Sequence, residues 1–299
     1  MAKFILSAFA DEAGDSLSEQ IAALKENEIG LIEPRSFDKR NVITLSDDEL
    51  LSIREALDKA DIRVGSLGSP IGKFSIEEDF EPQLEKLERA IRACEILGTN
   101  KMRMFSFYMP DENRAAHIDA ISERLCKMVS LAAERGVTLC HENEEKIFGE
   151  SPEQVSELFD KVPCLMGVYD PANFCVCGHD PKAGLSSTLP RLAYVHIKDG
   201  LMKGSKGTED GMVILPAGEG DGELAEMLSI LDAYTDGEVM LTLEPHLFES
   251  NAFLGVDDRT LASTLKFDNA RSAFDHGVAA LKKLLSDCGF KYENGYYVK

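Results

Sequence analysis

The chain has 299 residues, 44% of them hydrophobic, so it is long enough for one large α/β barrel or two ordinary domains. A formal net charge of -21 at pH 7 makes nucleic acid a poor partner, because nucleic-acid binding requires a basic surface. The seven cysteines follow no zinc or redox spacing, and no apolar run has the length of a membrane span or a signal region, so we expect a cytoplasmic protein without membrane partners.

Strand and helix patterns alternate along the whole chain. Short apolar strand patterns start near residues 4, 30, 63, 101, 137, 165, 193 and 239. Between and after them lie helical patterns at about 16–27, 46–60, 80–97, 115–135, 152–160, 181–190, 223–233 and 271–288. This alternation predicts a parallel sheet, and eight units in one chain predict a closed (β/α)₈ TIM barrel. A doubly wound sheet is the alternative, but no Gly-x-Gly-x-x-Gly fingerprint follows any strand.

The domain organisation follows from composition and loop length. No shift in composition marks a boundary, so residues 1–299 are predicted to form a single TIM-barrel domain that ends in a polar tail. The two longest connections, near 200–222 and 247–270, are polar and contain glycine. Long loops in compact domains are commonly functional, and the active site of a TIM barrel lies at its C-terminal face. We therefore expect both loops to lie over that face.

Four consecutive predicted strands end in a residue type that binds metals: Glu142, Asp170, His196 and Glu244. Neighbouring strands are about 4.8 Å apart, so four inward side chains can reach a common centre. Any one of them alone could simply be a solvated residue at the end of a strand. Three carboxylates close together without a cation, however, would repel one another and destabilise the fold. One divalent ion is therefore expected, and the oxygen-rich set favours Mn²⁺ or Mg²⁺ over Zn²⁺ or Co²⁺.

Several motifs along most of the chain resemble the sugar phosphate isomerase/epimerase family with the xylose-isomerase-like barrel. They are Ser7–Glu12, Ile32-Glu33, Glu142-Asn143, Asp170–Asn173, Val195–Asp199, Gly218–Asp221 and Thr242–Glu244. In the ketose 3-epimerases and hydroxypyruvate isomerases of that superfamily, two glutamates, an aspartate and a histidine hold one divalent metal. The resemblance implies this role for the four residues named above, and it implies that Glu142 and Glu244 also serve as catalytic acid and base.

The sequence departs from the epimerases in the region that binds their substrate. Asn173 stands three residues after the metal aspartate, where the epimerases have a histidine. Their arginine beyond the metal histidine has no clear match in residues 199–203. The resemblance therefore specifies metal chemistry more closely than it specifies a substrate.

Candidate substrate contacts lie on both sides of the predicted barrel. Lys198 shares the inward parity of His196 and could stabilise an enediolate, with a salt bridge to Asp199 or Glu219 as the alternative. Asn173 and His246, which keeps the parity of Glu244, lie on the metal side. On the opposite side, the candidates that end or follow strands two to four are Glu33, Arg35, Lys73 and Arg103, with a Glu33–Arg103 ion pair as the alternative.

The favoured function is that of a metal-dependent isomerase or epimerase of a small sugar, polyol or keto acid. Glu142 and Glu244 would remove and return a proton through an enediolate. Loss of a β-hydroxyl would instead make the enzyme an inosose or 3-dehydroshikimate dehydratase. The acids within Gly218–Gly222 argue against a phosphate nest, and hence against a phosphorylated substrate.

Two further alternatives belong to other classes of protein. An endonuclease-IV-like nuclease would need a basic face and additional histidine ligands, whereas this chain has six histidines and a large negative charge. A catalytically silent sugar-binding barrel would not need the complete set of four ligands. Barrels of this type often form homodimers, which makes a dimer an expectation by analogy.

Overall fold

Eight parallel strands form the wall of a TIM barrel, as predicted. The structure is a computed structural model that describes residues 1–109, 114–205, 208, 212–248, 261–263 and 265–299. The barrel strands are β1 (Ala2–Ala8), β2 (Leu31–Ile32), β3 (Arg63–Val64), β4 (Lys101–Met104), β5 (Thr138–Glu142), β6 (Met166–Tyr169), β7 (Leu192–Ile197) and β8 (Gly237–Leu243). Strands two and three are shorter than the sequence pattern predicts, with two residues each.

The ring closes through β1, which pairs in parallel with β8 along its full length. The wall continues from β8 through β7, β6 and β5 to β4. The short strands β2 and β3 pair with each other at Leu31–Arg63 and Ile32–Val64. Backbone hydrogen bonds from Glu33 N to Ala8 O (3.0 Å) and from Arg103 N to Leu67 O (2.9 Å) join this pair to β1 and β4.

The described part of the chain contains nine α-helices, and most of their ends lie close to the predicted ones. They are α1 (Leu17–Glu26), α2 (Asp47–Lys59), α3 (Glu81–Leu97), α4 (Ile118–Glu134), α5 (Pro152–Lys161), α6 (Pro171–Cys177), α7 (Pro181–Thr188), α8 (Leu224–Tyr234) and α9 (Ala270–Asp287). Ser16 and Ser46 each form a full capping box with the glutamate three residues later, which fixes the starts of α1 and α2. Helix α6 was not predicted. None of the helices in these ranges is long and apolar enough to cross a bilayer.

The C-terminal segment forms a β-hairpin rather than a polar tail. Its strands are Lys291–Glu293 and Tyr296–Val298, joined through Asn294 and Gly295, which both have positive φ. Tyr297 pairs antiparallel with Phe4 in β1. Because β2 is so short, the first half of β1 lacks a barrel neighbour on that side, and the hairpin covers it.

An apolar layer fills the lower part of the barrel and forms the floor of its polar C-terminal end. One inward side chain from each of six strands contributes to this buried layer: Ile5, Leu31, Cys140, Val168, Tyr194 and Met240. Such layers of inward side chains make a TIM barrel a packed core rather than a pore. Polar side chains at the strand ends are therefore confined to the space above this floor.

Parts of the two long connections form a small additional sheet. Asp199–Gly200 pairs antiparallel with Met212–Leu215, which in turn pairs in parallel with Leu261–Ser263. Residues 206–207, 209–211, 249–260 and 264 of the predicted loops lie outside the described residues. The expectation that both loops cover the C-terminal face remains a prediction.

Candidate metal centre

The four predicted metal ligands lie together at the C-terminal ends of β5 to β8. Glu142 ends β5, Asp170 and Glu244 directly follow β6 and β8, and His196 lies in β7. One ligand atom from each residue lies within 4.8 Å of those of the other three. All four side chains are buried. Parallel neighbouring strands bring these ends together, although the residues are far apart in sequence.

The two ring nitrogens of His196 face carboxylates on opposite sides of the ring. Nδ1 lies 3.0 Å from Glu142 Oε1 and 3.4 Å from Glu244 Oε2. Nε2 lies 3.3 Å from Glu33 Oε2 on the other side of the ring. Nδ1 is therefore the nitrogen that faces the carboxylates of the centre.

The pKa shifts at this centre reflect burial and the close pairing of acidic and basic groups. Burial lowers the pKa of His196, but Glu142 and Glu33 outweigh it and raise that pKa well above its ordinary value. Burial raises the pKa of Glu142, but His196 and Arg103 bring it down to about 2. Burial raises the pKa of Asp170 to about 6, even though Lys198 acts in the opposite direction. Without an ion, the imidazole of His196 is thus favoured in its protonated form between Glu142 and Glu33.

The residues present fit a divalent metal ion. Three carboxylates and one imidazole are ligands that such ions accept. An ion held by Glu142, Asp170, His196 and Glu244 would supply the positive charge that a protonated His196 otherwise supplies. The donors are already gathered, since the four ligand atoms span no more than 4.8 Å.

A second group, formed by Glu12, Glu244 and His246, also brings metal-binding atoms within 4.8 Å of one another. Here, however, Arg35 lies between the carboxylates, with Nη2 3.1 Å from Glu12 Oε1 and Nη1 3.1 Å from Glu244 Oε1. The ring nitrogens of His246 each lie 3.1 Å from one of the same two oxygens. This group offers two carboxylates and one imidazole, and one guanidinium bridges both carboxylates, whereas the first group offers three carboxylates and one imidazole. The four-residue group is therefore the better candidate for a metal.

Arginines hold the second carboxylate oxygen of both predicted catalytic glutamates. Arg103 Nη1 lies 3.2 Å from Glu142 Oε2, and Arg35 Nη1 lies 3.1 Å from Glu244 Oε1. Both guanidiniums also lie against the ring of Phe9, at 4.0 Å for Arg35 and 4.9 Å for Arg103. The sequence pattern predicts these arginines on the side opposite the metal, but their long side chains cross the barrel mouth.

Lys198 belongs to the centre itself. Its Nζ lies 2.7 Å from Asp170 Oδ2 and 3.4 Å from Glu244 Oε2, and the residue is only 2% exposed. The alternative partner Asp199 is occupied elsewhere, because its carboxylate accepts four backbone N–H bonds. Together, Lys198 and His246 hold the pKa of Glu244 well below its ordinary value, against the effect of burial.

The other predicted substrate contacts lie around the centre with partners of their own. Asn173 Nδ2 lies 3.3 Å from Glu142 Oε1. Lys73 Nζ pairs with Glu144 Oε2 at 3.2 Å. Glu33 contacts Tyr194 and His196 instead of forming the alternative ion pair with Arg103.

The glycine loop is organised around Asp199 rather than around an open anion site. The backbone N–H groups of Gly200, Gly218, Gly220 and Gly222 donate to the Asp199 carboxylate at 2.8 to 3.0 Å. A Cβ at Gly220 would lie 2.3 Å from Asp199 Oδ1, so the close approach requires glycine there. The inward N–H groups of this loop therefore already bind a carboxylate.

Three residues near the site were not predicted to act in it: Glu12, Tyr194 and Ser66. Glu12 contacts Arg35 and His246, while Tyr194 and Ser66 form a buried hydrogen-bond chain with Glu33. A signal existed for Tyr194, because it shares the inward parity of His196 and Lys198 in the strand pattern. Ser66 offered no comparable signal, since it follows a strand of only two residues.

Solved structures with the same architecture include enzymes and metal-binding proteins. The probable 3-DHS dehydratase AsbF, involved in petrobactin synthesis, from Bacillus anthracis has a TM-score of 0.70 and 17% identity over 95% of this chain and 98% of its own. The IOLI protein, solved with a bound zinc atom, has a TM-score of 0.71 and 15% identity, covering 95% and 98%. An L-ribulose 3-epimerase has a TM-score of 0.68 and 17% identity, covering 96% of each chain. At these identities the likeness shows the fold alone.

The sequence itself matches a family model over most of its length. No curated protein matches it significantly. The matching family is described as the xylose isomerase-like TIM barrel, and the match covers residues 21–264. That range spans β2 to β8 and contains all four residues of the candidate metal centre. The chain therefore belongs to the xylose isomerase-like TIM barrel family.

Proposed function

We propose that the protein is a divalent-metal-dependent isomerase or epimerase of a small sugar, polyol or keto acid. The observation that carries this proposal is the buried group of three carboxylates and one imidazole, with ligand atoms within 4.8 Å of one another. A divalent ion held there would polarise a neighbouring hydroxyl and carbonyl and so acidify the carbon-bound proton between them. The L-ribulose 3-epimerase shows that the same architecture supports epimerisation.

In the proposed reaction, Glu142 and Glu244 act as base and acid. Both are held as carboxylates, because Arg103 and His196 favour the anion of Glu142, while Lys198 and His246 favour that of Glu244. A carboxylate is the form that can remove a proton from carbon. Return of the proton to the same carbon from the other side gives an epimer, and return to the adjacent carbon gives an isomer.

The arginines and Lys198 would receive the oxygens of the substrate. Arg103 and Arg35 each bind the glutamate oxygen that faces away from His196. When a substrate hydroxyl or carboxylate replaces that contact, the glutamate oxygen becomes available as a base. Lys198, 2.7 Å from Asp170, would stabilise negative charge that develops on a substrate oxygen. Asn173 and His246 would hold the two glutamates in place.

An unphosphorylated substrate is supported by the glycine loop. Its four N–H donors bind the Asp199 carboxylate. A phosphate would have to displace a buried carboxylate held by four hydrogen bonds. The net charge of -21 adds a general repulsion of dianions.

Deuterium exchange tests the proposal whether the product is an epimer or an isomer, because both reactions remove a proton from carbon. The protein with added Mn²⁺ is incubated in D₂O with a panel of ketoses, inososes and keto acids, and loss of carbon-bound proton signals is followed by NMR. We expect exchange with at least one compound, and a fall of about 10²-fold or more in Glu142→Gln and Glu244→Gln. Glu144→Gln is the control, because it removes a buried carboxylate that pairs with Lys73. Equal exchange in all three variants would contradict the assigned roles.

Dehydration is the second candidate, and Lys198 is the observation that favours it. A buried ammonium group beside Asp170 and Glu244 could protonate a leaving hydroxyl, and the probable dehydratase AsbF shares the fold. The same panel separates the two reactions, because a dehydratase yields a product lighter by one water that mass spectrometry detects. Isomerisation and epimerisation leave the mass unchanged.

A further inference from the structure

Glu33 lies on the side of the His196 ring that faces away from the metal centre. Its side chain is 0% exposed, and Oε2 lies 3.3 Å from His196 Nε2. The hydroxyl of Tyr194 donates to the other oxygen, Oε1, at 2.7 Å, and Ser66 Oγ lies 3.0 Å from that hydroxyl. Both carboxylate oxygens are therefore engaged inside the protein, which leaves Glu33 poorly placed to contact a substrate.

The contact with Glu33 affects which of the two imidazole nitrogens of His196 carries the proton. A neutral imidazole carries one N–H and one lone pair, whereas an ionised carboxylate can only accept a hydrogen bond. Both ring nitrogens lie near carboxylates, but a divalent ion held at the centre would compensate Glu142 and Glu244 and leave Glu33 as the acceptor. The contact with Glu33 would then keep the N–H of neutral His196 on Nε2. The lone pair is then on Nδ1, the nitrogen that faces Glu142 and Glu244. The opposite tautomer would point an N–H into the centre and could not bind a metal there.

Packing fixes the position of the ring independently of Glu33. The ring of His196 has an edge contact with Phe9, with centroids 5.0 Å apart, and a tilted contact with Tyr194 at 5.5 Å. Replacement of the Glu33 carboxylate by an amide should therefore change the tautomer of the imidazole more than its location. This separation of effects makes the role testable.

We propose that Glu33 is a positioning residue for the metal centre, which selects the tautomer of His196 that presents a lone pair to the ion. Tyr194 and Ser66 in turn hold Glu33 in its buried site. This inference rests on the proposed function, because it assigns a metal to Nδ1 of His196. It replaces the sequence-based expectation that Glu33 binds substrate.

Binding of Co²⁺ tests this role directly, by calorimetry and by the visible absorption bands of the bound ion. We expect Glu33→Gln to bind Co²⁺ about 10-fold to 100-fold more weakly than the original protein, with altered bands, since hydrogen-bond partners of metal-bound histidines have effects of this size. Tyr194→Phe should show a smaller loss, because it removes only the donor to Oε1. Glu144→Gln, the matched buried glutamate that contacts Lys73, should bind normally.

Thermal unfolding of the metal-free variants identifies any variant that fails to fold. If Glu33→Gln does not fold, Tyr194→Phe, which keeps the aromatic ring, still tests the role of Glu33. Unchanged Co²⁺ affinity and unchanged bands in folded Glu33→Gln would overturn the role of Glu33 while leaving the metal centre intact. A complete lack of Co²⁺ binding by the original protein would instead contradict the metal centre, and the role of Glu33 with it.

Discussion

At the scale of single residues, each buried carboxylate of the centre lies against a cation. Arg103 pairs with Glu142, Lys198 with Asp170, and Arg35 with Glu244. Removal of one partner from such a buried pair leaves an uncompensated charge and typically costs about 3 to 5 kcal/mol. Variants that remove either partner are therefore expected to unfold more easily, so thermal unfolding must accompany each glutamine or asparagine variant used as a probe of function.

His141 gives a residue-scale prediction about pH. Burial lowers its pKa from 6.5 to about 4, and Nε2 lies 2.9 Å from Ser106 Oγ. The unfolded chain takes up a proton as the pH falls below 6.5, whereas the folded protein does not until about pH 4. The stability contributed by neutral His141 is therefore complete above pH 6.5 and is lost as the pH falls towards 4.

Urea unfolding at about pH 7.5 and about pH 5 measures this contribution. We expect the original protein to lose roughly 2 kcal/mol more free energy of unfolding between the two pH values than His141→Asn does. The comparison with the variant cancels the acid sensitivity of the carboxylates that both proteins share. An identical loss in the two proteins would show that His141 does not contribute.

Position in the strand pattern was enough to predict that the four residues of the centre lie close together. Glu142, Asp170, His196 and Glu244 occupy equivalent ends of consecutive parallel strands, and the backbone alone brings those ends together. The contacts of Arg35 and Arg103 were not predictable in this way. Their side chains are long enough to reach several carboxylates, and tertiary contacts such as the packing against Phe9 determine which ones they meet.

At the scale of elements, the loop between β7 and α8 depends on one side chain. Asp199 accepts four backbone N–H bonds, three of them from Gly218, Gly220 and Gly222. Asp199→Asn turns one carboxylate oxygen into an amide donor that faces N–H groups. We expect this variant to lose about 2 kcal/mol or more of its free energy of unfolding, because each hydrogen bond to a charged group contributes roughly 1.5 to 3 kcal/mol.

Hydrogen exchange followed by mass spectrometry tests this organisation of the loop. Peptides that contain Gly218 to Gly222 should exchange faster in Asp199→Asn, whereas peptides from α2 and α3 should not change. Asp221→Asn is the control, because Asp221 accepts a single bond, from Met202 N at 2.7 Å. Equal protection of the loop in both variants would mean that Asp199 does not organise it.

Helix-capping signals predicted the helices well, whereas short elements were harder to predict. The capping boxes at Ser16 and Ser46 marked the true starts of α1 and α2. Helix α6 has only seven residues and directly follows β6, so it lacks a separate periodic pattern. The C-terminal hairpin was not predicted although Asn294-Gly295 is a strong hairpin signal, because its exposed strand has little apolar alternation.

At the scale of the whole molecule, the barrel combines an apolar floor with a concentrated set of charges above it. Eight parallel strands place their C-terminal ends around one space, and the chain fills that space with acidic, imidazole and guanidinium groups. The repeated βα pattern was sufficient to predict this architecture, since few other folds satisfy eight successive units. The substrate could not be predicted, because it depends on side-chain contacts at the barrel mouth rather than on the repeat.

The central claim is that one divalent ion binds at Glu142, Asp170, His196 and Glu244, and metal content measures it most directly. Asp170 belongs only to this group and Glu12 only to the second one, whereas Glu244 belongs to both. After exposure to Mn²⁺ and removal of free ion, we predict about one ion per chain in the original protein and in Glu12→Gln, and almost none in Asp170→Asn. Metal absent from all three proteins, or lost in Glu12→Gln but kept in Asp170→Asn, would contradict the proposed centre.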